Sequence, residues 1–177
     1  MKKEIFVHLA FLFSLLVFVS ILRGYLSFSS WALWLGGLIG TILPDIDHLL
    51  YVFFLKPQEL TSQRVSYMIA KRNFWGSMNL LAETRAERTK LIFHTATFQL
   101  IFVVLAFFVL TSSGSLLGRG MVLAFFLHLI VDQAVDFTDM GSLANWFKNF
   151  PLVITVRMQR IYWWTLVILL LIFSFLM

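Results

Sequence analysis

Residues 31 to 55 read WALWLGGLIGTILPDIDHLLYVFFL, a run long and apolar enough to cross a bilayer that nevertheless carries two carboxylates and an imidazole around Pro44. An Asp at the middle of a membrane helix costs about 2.5 to 3.5 kcal/mol on insertion scales, so Asp45, Asp47 and His48 need pairing, protonation, hydration or a cation. If residues 45 to 48 are helical, Asp45 and His48 share a face at i, i+3, while Asp47 points elsewhere unless the backbone unwinds. Pro44 is tolerated at a first turn or kink. Gly36 and Gly40, four apart, permit a close helix approach.

The rest of the chain has the same solvent. Of 177 residues, 60% are hydrophobic and 13% charged, and the mean hydropathy is +0.87, so there are too few polar residues to cover a water-soluble globule. Further apolar runs lie at 5–22, 91–111, 120–137 and 161–177. The first would make a helix of about 27 Å. Lys2 and Lys3 before it give it the look of a signal peptide, but the run is long for one and no small-residue cleavage site follows Leu22, which reads as a retained span. The expected fold is therefore all-α, a polytopic integral membrane bundle of about five helices forming one domain over residues 1–177. Its longer loops are 56–90 and 138–160.

With the N-terminus inside, twelve of the fourteen Lys and Arg residues fall on the cytoplasmic side and only Arg23 and Arg119 outside, which favours N-in, C-out. The net charge of +5 thus reads as membrane topology rather than nucleic-acid binding. Loop 56–90 reads either as a topology determinant or as an interfacial helix against anionic lipid, with Val65, Met68, Ile69 and Trp75 on its apolar side; 138–160 reads as a second cytoplasmic lid. Cysteine is absent, which removes disulfides, thiolate metal sites and thiol catalysis.

All five Asp and all four His lie in or beside apolar runs, whereas the four Glu lie outside them. At about 1.5 Å per residue His8 and His94 sit about 4.5 Å from the cytoplasmic end of their spans, Asp45 and His48 roughly 10 to 15 Å, and His128 and Asp132 roughly 7 to 14 Å. The polar groups of four helices therefore share one half of the membrane. A path for a divalent cation would need polar groups in the other half too, which weighs against a transporter. His128, Asp132 and Asp136 at i, i+4, i+8 form one stripe. Imidazole and carboxylate without thiolate suit Zn, with Mn or Fe as alternatives, in one or two ions. The rival is a hydrogen-bonded Asp-His cluster without metal.

LPDIDH (Leu43 to His48), FHT (Phe93 to Thr95), HLIVD (His128 to Asp132) and the His8-Leu9 pair together resemble the YdjM-type family of inner-membrane, metal-dependent hydrolases, over residues 1 to about 150. The resemblance implies a helical membrane protein with a metal centre, distantly similar to zinc-dependent phospholipase C and single-strand nucleases. It implies the ligands His8, Asp45, Asp47, His48, His94, His128 and Asp132. The family's His-Arg-Gly-x-Thr-His-Ser stretch falls on Thr89 to Thr95 without its first His, Lys90 keeping a positive charge, and its Thr-Pro-x-Gly element survives as Thr138 to Gly141 without Pro.

The expected function is a metal-dependent hydrolase in the inner (plasma) membrane, acting on a phosphoester, such as a lipid or lipid-linked one, from the cytoplasmic side. Asp136, which extends the stripe, is the expected proton acceptor, and Lys90 and Arg88 are the expected phosphate contacts, or else interfacial anchors. A non-catalytic scaffold that retains the site is the other reading.

Overall fold

The computed structural model describes residues 2–88 and 90–177. Thr89, which opens the stretch compared with the family motif, lies outside the described residues. Among those described there is no strand. The helices are α1 (Lys2–Arg23), α2 (Trp31–Ile42), α3 (Ile46–Leu50), α4 (Leu60–Ala70), α5 (Phe74–Glu83), α6 (Ala96–Ser112), α7 (Leu116–Met140) and α8 (Val156–Leu176). Four stretches, Glu4–Arg23, Phe28–Leu55, Leu116–Met140 and Val156–Leu176, are long and apolar enough to cross a membrane; Ala96–Ser112 is apolar but shorter. Phe6, Phe13, Ile21, Ile42, Ile101, Phe108 and Phe175 point outward and are exposed, a surface suited to lipid and not to water.

α7 is the axis. Leu123, Phe126 and Leu129 on it are fully buried, and α1, α2, α6 and α8 pack around it. The tightest contact is with α2. A Cβ added at Gly36 would lie 2.1 Å from the Leu117 carbonyl oxygen, one at Gly40 2.1 Å from that of Met121, and one at Gly120 2.3 Å from that of Leu33. The two backbones thus meet where side chains are missing, the close approach the Gly36/Gly40 spacing predicts.

The α2 span does not run as one regular helix. Pro44 supplies no N–H, and Leu43–Asp45 tightens into a 3-10 turn before α3, which passes into a π-helical turn at Tyr51–Leu55. This re-aims the three polar side chains. Asp47 is fully buried, His48 half-buried, and Asp45 has its side chain 60% exposed.

The expected span 91–111 begins as a helix only at Ala96. The backbone N–H groups of Ile92, Phe93 and His94 donate to the Asp47 carboxylate, which holds this stretch out of helical geometry until Thr95 caps α6 by accepting from the Phe98 N–H. In loop 56–90, Val65 is buried and Met68 and Ile69 are half-buried against the protein, whereas Trp75 is exposed. Segment 141–155 folds back against the bundle: Leu143 and Trp146 are buried, the Ala96 N–H donates to the Trp146 carbonyl at 2.9 Å, and the Leu143 N–H donates to Gln159 Oε1 at 2.7 Å.

Candidate metal centre

Asp132 is the hub. It sits two turns from the end of α7 and is buried with His8, His94 and His128 around it. Its Oδ1 lies 3.1 Å from His8 Nε2 and 2.9 Å from an Arg85 guanidinium nitrogen; its Oδ2 lies 2.8 Å from His94 Nε2 and 3.3 Å from His128 Nε2. One donor atom from each of His8, His128 and Asp132 falls within 4.8 Å of the others, a group able to hold a metal ion. The rings crowd together as well: His8 and His128 have centroids 4.2 Å apart, His48 and His94 are stacked at 5.1 Å, and His94 meets His128 edge-on at 6.1 Å.

The outer nitrogens fix which inner nitrogens carry lone pairs. His8 Nδ1 is 2.9 Å from the Glu4 carbonyl oxygen, which can only accept, so the ring donates there and its neutral form has a bare Nε2. That Nε2 faces a carboxylate oxygen without the geometry of a hydrogen bond, and so does His128 Nε2. His94 differs in being hydrogen-bonded on both sides, with Nδ1 3.2 Å from Asp47 Oδ2 and Nε2 2.8 Å from Asp132 Oδ2. Lone pairs aimed at one carboxylate repel unless a proton or cation lies among them. The carboxylate–imidazole arrangement of Asp47 and His94 is the one that orients histidine ligands around metals. Nitrogen from His8 and His128 and oxygen from Asp132 is a donor set of the kind divalent transition metals accept.

The remaining expected ligands stand further out. Asp47 has its oxygens taken by three backbone N–H groups and His94 Nδ1, so it braces the His94 ring. His48 Nδ1 accepts from Arg88 Nε at 3.2 Å, which keeps this ring neutral with its proton on Nε2. Asp45 Oδ1 is 3.7 Å from His128 Nε2 and, among the described residues, makes no hydrogen bond through its side chain.

Asp136, the expected proton acceptor, is held on both oxygens: Trp146 Nε1 donates to Oδ2 at 2.6 Å, and Arg85 Nε lies 3.2 Å from Oδ1. Lys90 is exposed and does not line the cavity of about 150 Å³ beside the cluster, whose wall includes Arg85, Arg88, His94, Asp136, Asn145 and Trp146. Loop 56–90 thus sends two of its cations inward. Arg88 is buried, donating also to Thr84 Oγ1 and to the Leu81 carbonyl. Burial and the neighbouring Arg85 pull its guanidinium down to about 10, still charged at neutral pH. Burial works against the charge on Arg85 too, but Asp132 and Asp136 outweigh it and raise its pKa above the usual value.

Sequence reasoning gave Arg85 no role beyond loop charge. A signal for it was present: the apolar runs hold several Asp and no Lys or Arg in their interiors, so counter-cations had to come from a loop. Asp45, Asp47, Asp132 and Asp136 against Arg85 and Arg88 leave an excess of negative charge to be met by protons on the imidazoles or by a cation. No protein-family model, no curated protein and no solved structure matches this chain.

Proposed function

We propose that this chain is a membrane-embedded, metal-dependent hydrolase of phosphoesters, of the YdjM type, with five spans, its N-terminus inside and its site toward the cytoplasmic face of the inner (plasma) membrane. The observation that carries this reading is the set of buried imidazole nitrogens directed at the Asp132 carboxylate, two of them on rings whose outer nitrogens are already engaged. His8, His94, His128 and Asp132 would hold one ion, zinc before manganese or iron. A second ion would have to draw on Asp45 and His48.

When bound, such an ion supplies Lewis acidity, acidifying a water and polarising a phosphoryl oxygen. The chain's own residues do the rest. Asp47 keeps His94 in one tautomer and one orientation. Arg85 and Arg88 place positive charge on the cavity wall, where an entering phosphoryl group needs it. Asp45, the carboxylate of the cluster not engaged by a hydrogen bond, takes the role of proton acceptor in place of Asp136.

The test is a panel of phosphodiesters, phosphomonoesters and phospholipids offered with zinc to the protein in detergent or nanodiscs. Turnover that disappears in Asp132→Asn is expected. Bound metal with no turnover on any of them would favour the scaffold. Reporter fusions at Trp75 and at the C-terminus should report cytoplasm and exterior; the same side for both would refute the five-span orientation. One observation favours a second reading: Arg85, touching both Asp132 and Asp136, is an internal cation for a metal-free cluster. That reading requires the purified protein to contain no metal.

A further inference from the structure

Between α6, segment 141–155 and the start of α8 lies a second cavity, of about 340 Å³. Its walls are Leu100 of α6, Phe147, Phe150 and Ile154 of the connecting segment, and Met158 and Ile161 of α8, all carbon at the surface they present. Tyr162 completes it and is fixed in place: its hydroxyl donates to the buried Gln99 Oε1 at 2.8 Å, which also accepts from Gln133 Nε2 at 2.6 Å. Phe147 is set edge-on between Tyr162 and Phe150, with ring centroids 5.1 and 5.6 Å away. The groove is therefore held open by packing and by a buried polar anchor.

The segment that builds most of its wall is charged in one sense only. From Met140 to Met177 the chain has no Asp or Glu, and its three basic residues, Lys148, Arg157 and Arg160, are all adjacent in sequence to groove residues. Arg157 and Arg160 are exposed on the first turns of α8, beside Met158 and Ile161. An apolar slot for a chain, with two exposed arginines each one residue along α8 from its wall, has the complementarity of a basic lipid-headgroup pocket. The N-terminal end of α8 adds a field of the same sign.

We propose that this groove binds one anionic phospholipid from the bilayer, an acyl chain lying between Leu100, Phe147 and Ile161 and the phosphate against Arg157 and Arg160. The site is independent of the metal centre and does not require the protein to be an enzyme. Occupied, it pins α8 to segment 141–155, and through Trp146 to the cavity beside Asp136.

The experiment is native mass spectrometry of the full-length protein equilibrated in detergent with equal amounts of phosphatidylglycerol and phosphatidylcholine. The wild type should retain one phosphatidylglycerol in preference to phosphatidylcholine. Arg157→Gln combined with Arg160→Gln should lower that retention by roughly tenfold or more. Ile161→Trp, which fills the slot from an exposed position, should abolish retention of either lipid while circular dichroism and size-exclusion behaviour stay unchanged. A control that removes equal charge elsewhere, Arg64→Gln with Arg72→Gln, should retain lipid like the wild type. Equal retention of both lipids, a charge-depleted α8 that binds as before, or a control as defective as the α8 variant would each overturn the proposal.

Discussion

The two halves of α7 are built for opposite purposes. From Leu116 to Leu127 the helix is apolar except for Arg119 and lies against α2 with glycines meeting backbone, so its contribution is chiefly packing. From His128 to Met140 it carries His128, Asp132 and Asp136 into a buried cluster of like-facing polar atoms. The first half carries a single charge, the half-buried Arg119, and no carboxylate. The second concentrates negative charge that packing alone would not tolerate, and it depends on Arg85, Arg88 and, in our reading, a cation. Damage to the first half should therefore show as loss of fold, and damage to the second as loss of ligand with the fold retained.

The largest effect is expected at the seam. Gly40→Leu must displace the Met121 backbone, for which no side-chain rotation can substitute, and should cost at least about 3 kcal/mol. The yield of monodisperse protein and its unfolding in detergent measure this. A variant as stable as wild type would mean that the backbones are not in contact.

A smaller and different effect is expected from Asp47→Asn. The amide still accepts one or two backbone N–H groups but turns a donor toward the others, and it weakens the hold on His94 Nδ1. Metal affinity should fall roughly 10- to 100-fold, as it does when an outer-sphere partner is removed. Competition with a chromogenic chelator reads this directly. A complete loss of metal equal to that of Asp132→Asn would make Asp47 a ligand in its own right and erase the distinction between holding the ion and orienting what holds it.

The smallest effect is expected at Lys90. Exposed and outside the cavity wall, it should tolerate Ala with a change within about 0.5 kcal/mol in stability and no change in metal content. Loss of metal in Lys90→Ala, measured against Arg85→Ala in the same assay, would return Lys90 to the site.

These contrasts also mark what the sequence could carry. Apolar runs locate the helices because hydropathy is a local property, and Gly36 and Gly40 announce a close contact because their spacing is local too. The stripe His128, Asp132, Asp136 is legible for the same reason. The role of Asp47 is not, because its partners Ile92, Phe93 and His94 lie some 45 residues away and their unsatisfied N–H groups exist only once the chain has folded past it. The same contact explains why α6 starts at Ala96 although residues 91 to 95 are apolar enough to continue it. Arg85 was hidden by its surroundings: in a loop of seven basic residues, nothing in composition separates the two that turn inward from the five that stay with solvent or lipid headgroups.

The most direct measurement is the metal content of the protein purified in detergent without added chelator, for wild type and His128→Ala, by inductively coupled plasma mass spectrometry, with the melting temperature of each recorded before and after chelation. If His8, His94, His128 and Asp132 hold an ion, the wild type should contain about one divalent cation per chain and melt lower once chelated, because the ion binds the folded state preferentially. His128→Ala should contain little metal and barely respond to the chelator. A wild type that is free of metal and indifferent to chelation would contradict the metal centre and leave Arg85 as the cation of a purely structural cluster.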